Sequence, residues 1–380
     1  MKYLVQAFTG GFHARRVTAD QLMERTRYVD DLLDVEGMIL GWSGDRSLYR
    51  PVLNELHRRG KQGYLWLPVF SEVSGVADSA PAVDYNGKPH AAAEIMKGED
   101  FTFVCPSSPV NIENIVKIYH EQFDGLGFDG VFLDKIRYSS FGNGFAPAMG
   151  CFCESCRARY EKAGVDLSEV REWMARPDKS FLLPCETQNG RYFFADIFIN
   201  KLYKVRSEII SDAVAKLAAY FHKQGMRVGL DVYAPLFSYF VGQDIESLSR
   251  SADFIKPMIY RVTDAPAGIP YEAASMEQQL RLHGCKPSGV LERLWGTDDL
   301  CSAESLIYQL KALAGVHCPI YTGFEVNSKP DICRTNSDYI RQTVEALNSA
   351  GAGQAVLSWD ILSDTRDHLE LLAGQGGQQM

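Results

Sequence analysis

The sequence predicts an α/β fold, a single (β/α)8 TIM barrel over residues 1–373 with long loops after strands 3 and 4, and three observations predict it. Eight short apolar runs punctuate the chain, a segment of helical period follows most of them, and the turn after the first run lacks the glycine spacing of an open nucleotide-binding sheet. Strand–helix alternation makes a parallel sheet, and eight such units are the number that closes it into a barrel.

The apolar runs are 3–8, 37–42, 63–70, 130–138, 227–237, 254–261, 319–326 and 354–361. The helical segments are 19–33, 46–59, 111–125, 192–224, 245–252, 272–283, 303–314 and 337–349. Gly60, Gly125, Gly225 and Gly351 follow four of these, as expected of helix C-caps. The rival fold is a doubly wound open sheet, but Phe8-Thr9-Gly10-Gly11-Phe12 does not carry G-x-G-x-x-G. Two connections are long, 71–110 and 139–191. In this fold such loops build the mouth of the active site, so both are expected to shape a substrate cleft. The Gly- and Gln-rich end, 374–380, reads as a flexible tail.

A chain that is 46% hydrophobic and 23% charged has ordinary globular proportions. Its formal charge of −9 argues against a general binder of nucleic acid or anionic membrane, both of which need clustered Lys and Arg. The start, MKYLVQAFTGG, lacks the basic, apolar, small-residue pattern of a signal peptide, and no apolar run approaches the ~20 residues of a membrane span. A cytoplasmic location is therefore expected, with the oligomeric state open, a homo-oligomer included. Nine Cys, an odd number, fit reduced thiols or a metal site better than a disulfide framework.

Cys151-Phe152-Cys153-Glu154-Ser155-Cys156 places three thiols within six residues. Zinc takes four S or N ligands in closed structural sites, and Cys105, in the other long loop, is the candidate fourth. Loops 3 and 4 of a barrel are neighbours, so the expected cofactor is a structural Zn that ties them together. Unliganded thiols, an iron–sulfur cluster and a Cys153/Cys156 redox pair are the competing uses. The spacing resembles the four-cysteine zinc site of glycoside hydrolase family 42 β-galactosidases, which are TIM barrels. The likeness covers Cys105 to Tyr160 but not that family's Asn-Glu pair, for which this chain has Leu133-Asp134. Gly127-Phe128-Asp129-Gly130, leading to Asp134, and Ile255-Lys256-Pro257-Met258-Ile259-Tyr260 are similar to strands of barrel glycosidases more broadly.

Glycoside hydrolysis needs two carboxyl groups flanking the bond, and in a barrel they come from C-terminal strand ends. Asp134 follows Val131-Phe132-Leu133 on a strand buried on both faces, where a carboxylate is costly unless paired or functional. Glu325 ends the seventh run, where the glycosidase resemblance implies a nucleophile. The expected catalytic pair is thus Asp134 and Glu325. Asp231 lies within the fifth run, facing either the lumen or a helix, and Asp360 ends the eighth; each is equally readable as a structural group, such as a loop-capping acid. A ring of Trp42, Tyr138, Tyr233, Tyr260 and Trp359 at strand ends suits a sugar, whose C–H faces stack on aromatic rings. With Arg137, Asp231, Lys256 and Asp360 they make the candidate substrate-binding set, the expected partner being a carbohydrate. His13, after the first run, is a weaker candidate for substrate contact. The sequence therefore predicts a glycosidase; a carbohydrate-binding barrel without catalysis, or a metal-dependent barrel hydrolase or lyase using the same acids, would be the alternatives.

Overall fold

The structure is a computed structural model that describes all residues except 13–15, 74, 77, 92–98, 364 and 377–380. It contains β1 (Lys2–Ala7), β2 (Val35–Leu40), β3 (Gln62–Pro68), β4 (Gly130–Asp134), β5 (Pro184–Gln188), β6 (Arg191–Phe194), β7 (Arg227–Tyr233), β8 (Phe254–Met258), β9 (Thr322–Glu325) and β10 (Gln354–Ser358). Eight of these close a parallel barrel in the order β1-β10-β9-β8-β7-β4-β3-β2, with helices in the connections. The (β/α)8 barrel expected from the eight apolar runs is the observed fold. The ring closes where Lys2–Val5 of β1 pair with Gln354–Leu357 of β10.

The core has two layers. Between strands and helices lies a broad apolar shell that includes Val5, Leu40, Leu65, Val131, Leu230 and Phe324. Inside the barrel, Leu4, Ile39, Tyr64, Phe132, Phe254, Tyr321 and Val356 fill the lower lumen. Fully burying a side chain of this size contributes roughly 1.5–3 kcal/mol. Two glycines let large side chains cross that lumen. A Cβ on Gly229 would stand 2.2 Å from Cζ of Phe254, and one on Gly323 would stand 2.2 Å from Cε of Lys256.

The strands are shorter than the apolar runs, mostly at their C-terminal ends. The run 130–138 yields a strand of only Gly130–Asp134, and 254–261 yields Phe254–Met258. Apolar residues continue past the last ladder hydrogen bond because they line the barrel mouth and pack beneath its loops. The expected helix 192–224 is also corrected. Arg191–Phe194 is the second strand of an antiparallel hairpin with β5, and the helix is Ile197–Lys223, capped by Asp196, which accepts from the amide of Phe198. Asn189 and Gly190, with φ of 51° and 75°, form the two-residue turn that Asn-Gly favours in a hairpin. The rest of the 139–191 connection holds the helices Phe145–Ala148, Glu154–Lys162 and Leu167–Ala175. A last helix, Arg366–Gly376, takes in the first three residues of the expected tail, and 377–380 lie outside the described residues, as does His13. No helix among the described residues is long and apolar enough to cross a membrane.

Candidate active site

Alternation along each strand decides what faces the lumen. At the C-terminal ends, the inward positions carry Trp66 and Asp134 on β3 and β4, and Asp231 and Tyr233 on β7. Together with loop residues they line a cavity of about 460 Å³ at the mouth of the barrel. Its aromatic walls are Phe8, Trp42, Trp66, Phe101, Tyr233, Tyr260 and Trp359.

Asp134 ends β4 and is 8% exposed, its surface opening on this cavity. Its Oδ2 accepts from the indole Nε1 of Trp66 at 2.9 Å, and its Oδ1 from the amide of Lys135 at 2.5 Å. Two donors fix the carboxylate's orientation at the cavity wall. Lys135, in the left-handed region with φ of 53°, turns its side chain away to Glu72 Oε1 at 2.6 Å and Glu99 Oε2 at 3.3 Å. The cation that follows Asp134 in sequence is therefore spent on the long loop after β3, not on Asp134.

Asp231 lies deeper, 1% exposed, and also contributes to the cavity wall. The ammonium of Lys256 sits 3.1 Å from its Oδ1 and donates to the hydroxyl of Tyr260 at 2.5 Å. Burial pushes the Asp231 carboxyl up to about 8; the ammonium of Lys256 opposes that rise and the charge of Asp134 adds to it. Burial likewise lowers Lys256, against the pull of Asp231, Asp134 and Glu325. Burial thus acts on both groups against their charged forms, and their mutual attraction opposes it. Lys256 does not line the cavity; it lies under it, laid across Gly323.

Glu325 ends β9 as expected, but the structure does not bring its carboxylate to the cavity wall. It is wholly buried, its Oε1 accepting from the amide of Val262 and the hydroxyl of Thr263, both at 2.9 Å, and its Oε2 from the hydroxyl of Tyr339. Those three donors make Glu325 a brace for the loop after β8, whose Thr263 does reach the cavity. Asp360 is likewise withdrawn: it accepts from the amides of Phe8 and Leu362 and from Ser363 Oγ, capping its own loop. Tyr138 is turned away toward the Arg206 guanidinium, 5.4 Å from its ring, and toward the cysteine cluster, so it too leaves the candidate substrate-binding set. Trp42, Arg137, Asp231, Tyr233, Tyr260 and Trp359 remain around the cavity.

The four cysteines come together between the two long loops. The sulfurs of Cys105, Cys151, Cys153 and Cys156 all lie within 4.8 Å of one another, with Cys105 3.3 Å from Cys153 and 3.5 Å from Cys156. A tetrahedral ion with ~2.3 Å bonds to sulfur would set these separations near ~3.8 Å. The group can therefore hold a metal ion. Hydrogen bonding to Cys105 first, and to the other sulfurs, lowers Cys153 and raises Cys151 and Cys156. Four thiols this close cannot all ionise without a cation among them. The surroundings fit an anionic centre. Arg206 is fully buried and donates to the carbonyls of Ala148 and Phe240; among the described residues it has no carboxylate partner, and its Nε and Nη1 find no acceptor. A Cβ on Gly150, which precedes Cys151, would lie 3.0 Å from that Nε. Four thiolates around a divalent ion carry a net charge of −2, which such an arginine offsets in part.

No protein-family model matches the chain, and no curated protein matches it. Solved structures do. The glycoside hydrolase domain of PgaB (BpsB) from Bordetella bronchiseptica matches with a TM-score of 0.59 at 16% identity, over 93% of this chain and 91% of that one. The alpha-L-fucosidase isoenzyme 2 from Paenibacillus thiaminolyticus matches with a TM-score of 0.53 at 12% identity, over 99% of this chain and 49% of that one. At these identities the likeness is one of fold. The resemblance to family 42 β-galactosidases stays on the cysteine spacing alone.

Several cavity residues escaped the sequence. Phe8 and Trp66 stand inside apolar runs where nothing separates an inward from an outward aromatic except register. Glu99 and Phe101 lie in the long loop after β3, which has no period to read. The signal that could have found Trp66 is strand parity: it is inward with Tyr64, two residues earlier, and its register partner is Phe132, two residues before Asp134.

Proposed function

We propose that the protein is a glycosidase whose carboxyl pair is Asp134 and Asp231. In this reading Asp231 replaces Glu325 as the second carboxyl of the pair. The observation that carries it is the opening of these two acids onto one aromatic-walled cavity at the C-terminal mouth of the barrel. A carboxyl held protonated by burial can give a proton to the leaving glycosidic oxygen, which is the task of the general acid. Asp231, pushed up to about 8, suits that role at neutral pH. Lys256, 3.1 Å away, orients it and supplies the positive charge that stabilises its conjugate base. Asp134, oriented by Trp66 and by the Lys135 amide, is the carboxylate that attacks the anomeric carbon or activates water. Trp42, Tyr233, Tyr260 and Trp359 supply ring faces for the sugar. The fold neighbours include a domain described as a glycoside hydrolase and a fucosidase, which supports the reaction class.

The cysteine cluster is assigned to structural zinc held by Cys105, Cys151, Cys153 and Cys156. The four sulfurs would fill a tetrahedral shell and leave no open position for water, so the ion staples loops and stands outside the chemistry. Elemental analysis of purified protein should find about one zinc per chain.

The test is a panel of aryl glycosides and oligosaccharides, assayed with and without chelator. Cleavage of at least one member, insensitive to brief chelation, is the expected result. Sugar binding without cleavage across the panel would replace the glycosidase by a carbohydrate-binding barrel.

A further inference from the structure

Among the cations around the cavity, Arg137 is set apart by its surroundings. It is 3% exposed, and its guanidinium packs against the rings of Phe103 and Tyr233, at 4.6 Å and 4.5 Å from their centroids. Among the described residues its one hydrogen-bond acceptor is the carbonyl of Tyr138, 2.8 Å from Nη1, and it forms no ion pair. The other buried cations near the cavity are already matched, Lys135 by Glu72 and Glu99 and Lys256 by Asp231. Arg16 and Lys329, which also line it, are exposed and rest on Phe8 and Trp359. Glu272 is the acid nearest in influence, but its Oε1 is taken by the Tyr233 hydroxyl at 2.9 Å and the Ala267 amide at 3.0 Å.

A buried cation without a counterion is costly unless a ligand supplies one. Rings packed against a guanidinium cannot accept in its plane, where its paired N–H groups match the two oxygens of a carboxylate. We propose that Arg137 is an anion-recognition subsite, and that the cavity takes an acidic sugar whose carboxylate docks in the plane of its guanidinium. This rests on the carbohydrate reading of the cavity and names the substrate class within it. Its position three residues after Asp134 puts the recognised unit beside the reacting carboxylate.

The test measures binding, so that it does not depend on turnover. The protein with Asp134→Asn is titrated calorimetrically with oligouronides, their methyl esters, the matched neutral oligosaccharides and sulfated analogues. Uronides should bind at least about 10-fold more tightly than esters or neutral sugars. That preference should vanish in Arg137→Gln and shrink in Arg137→Lys, which keeps the charge and loses the fork. Melting curves of both variants show whether the fold is retained, and Arg137→Lys carries the test if Arg137→Gln does not fold. Equal binding of neutral sugars, a preference for sulfate over carboxylate, a preference that survives Arg137→Gln, or no binding by any member would each overturn the proposal. Uronide binding without hydrolysis by the unmutated protein would keep this subsite and remove the glycosidase. Hydrolysis of neutral glycosides with no uronide preference would do the reverse.

Discussion

Asp134 and Glu325 end barrel strands, Asp231 lies two residues before the end of β7, and the structure gives the three acids different environments. Asp134 meets the cavity with two donors behind it, so Asp134→Asn should keep the fold and lower kcat on the order of 10³-fold, equal to roughly 4 kcal/mol of transition-state stabilisation. Glu325 has all its acceptor capacity spent inside the protein. Glu325→Gln should therefore stay within about 10-fold of native activity, whereas Glu325→Ala, which strands three buried donors at ~1–3 kcal/mol each, should lower Tm markedly. Equal inactivation by Asp134→Asn and Glu325→Gln would restore the pair expected from sequence. Asp231 acts in its protonated form, so activity is present below its raised pKa and is lost as pH rises through about 8. The Lys256 ammonium holds that pKa down, and Lys256→Met should move the alkaline limb of kcat/KM to higher pH. A limb that stays in place would remove Asp231 as the titrating acid. That Asp134 and Glu325 end strands, and that Asp231 lies within one, was legible in the sequence. Which of them reaches the cavity was not, because it depends on donors such as Tyr339 and Val262 that are distant in the chain or outside any motif.

At the scale of elements, the two long connections are joined by sulfur. Cys105 comes from the loop after β3 and the other three from the connection after β4, and the amide of Val83 donates to Cys151 Sγ at 3.4 Å across the same junction. Those loops carry Phe101 and Phe103 to the cavity and to Arg137. Cys153→Ala should remove the metal and lower Tm on the order of 5 °C, with activity falling as a consequence of loosened loops. Complete loss of rate at unchanged Tm, read by calorimetry beside the assay, would instead place the ion in the chemistry. β9 makes a second prediction. Its Gly323 leaves room for Lys256, so Gly323→Ala should cost ~1–3 kcal/mol by overpacking and disturb the Asp231–Lys256 contact, seen as a shifted pH profile. The cysteine cluster was legible because three thiols in six residues are a local pattern. The hairpin of β5 and β6 was signalled by Asn189-Gly190 yet read as the start of a helix, because the apolar residues that follow run without a break into Ile197–Lys223.

For the whole molecule, the barrel was legible because its evidence is repeated: each barrel strand overlaps an apolar run, and a segment of helical period follows most of the runs. The strand boundaries were overestimated where apolar side chains leave the ladder to form the cavity wall, so the error marks the site. What brings Asp134, Asp231 and Arg137 to one cavity is closure of the sheet, a non-local event that no window of sequence contains. The central claim, that this mouth cleaves glycosidic bonds with Asp134, is tested most directly by one comparison. Release of reducing ends from a panel of oligosaccharides and aryl glycosides is measured for the native protein and for Asp134→Asn. The account predicts turnover of at least one member by the native protein and a loss on the order of 10³-fold in the variant, with Tm unchanged. Near-native turnover by Asp134→Asn on a substrate the native protein cleaves would contradict it.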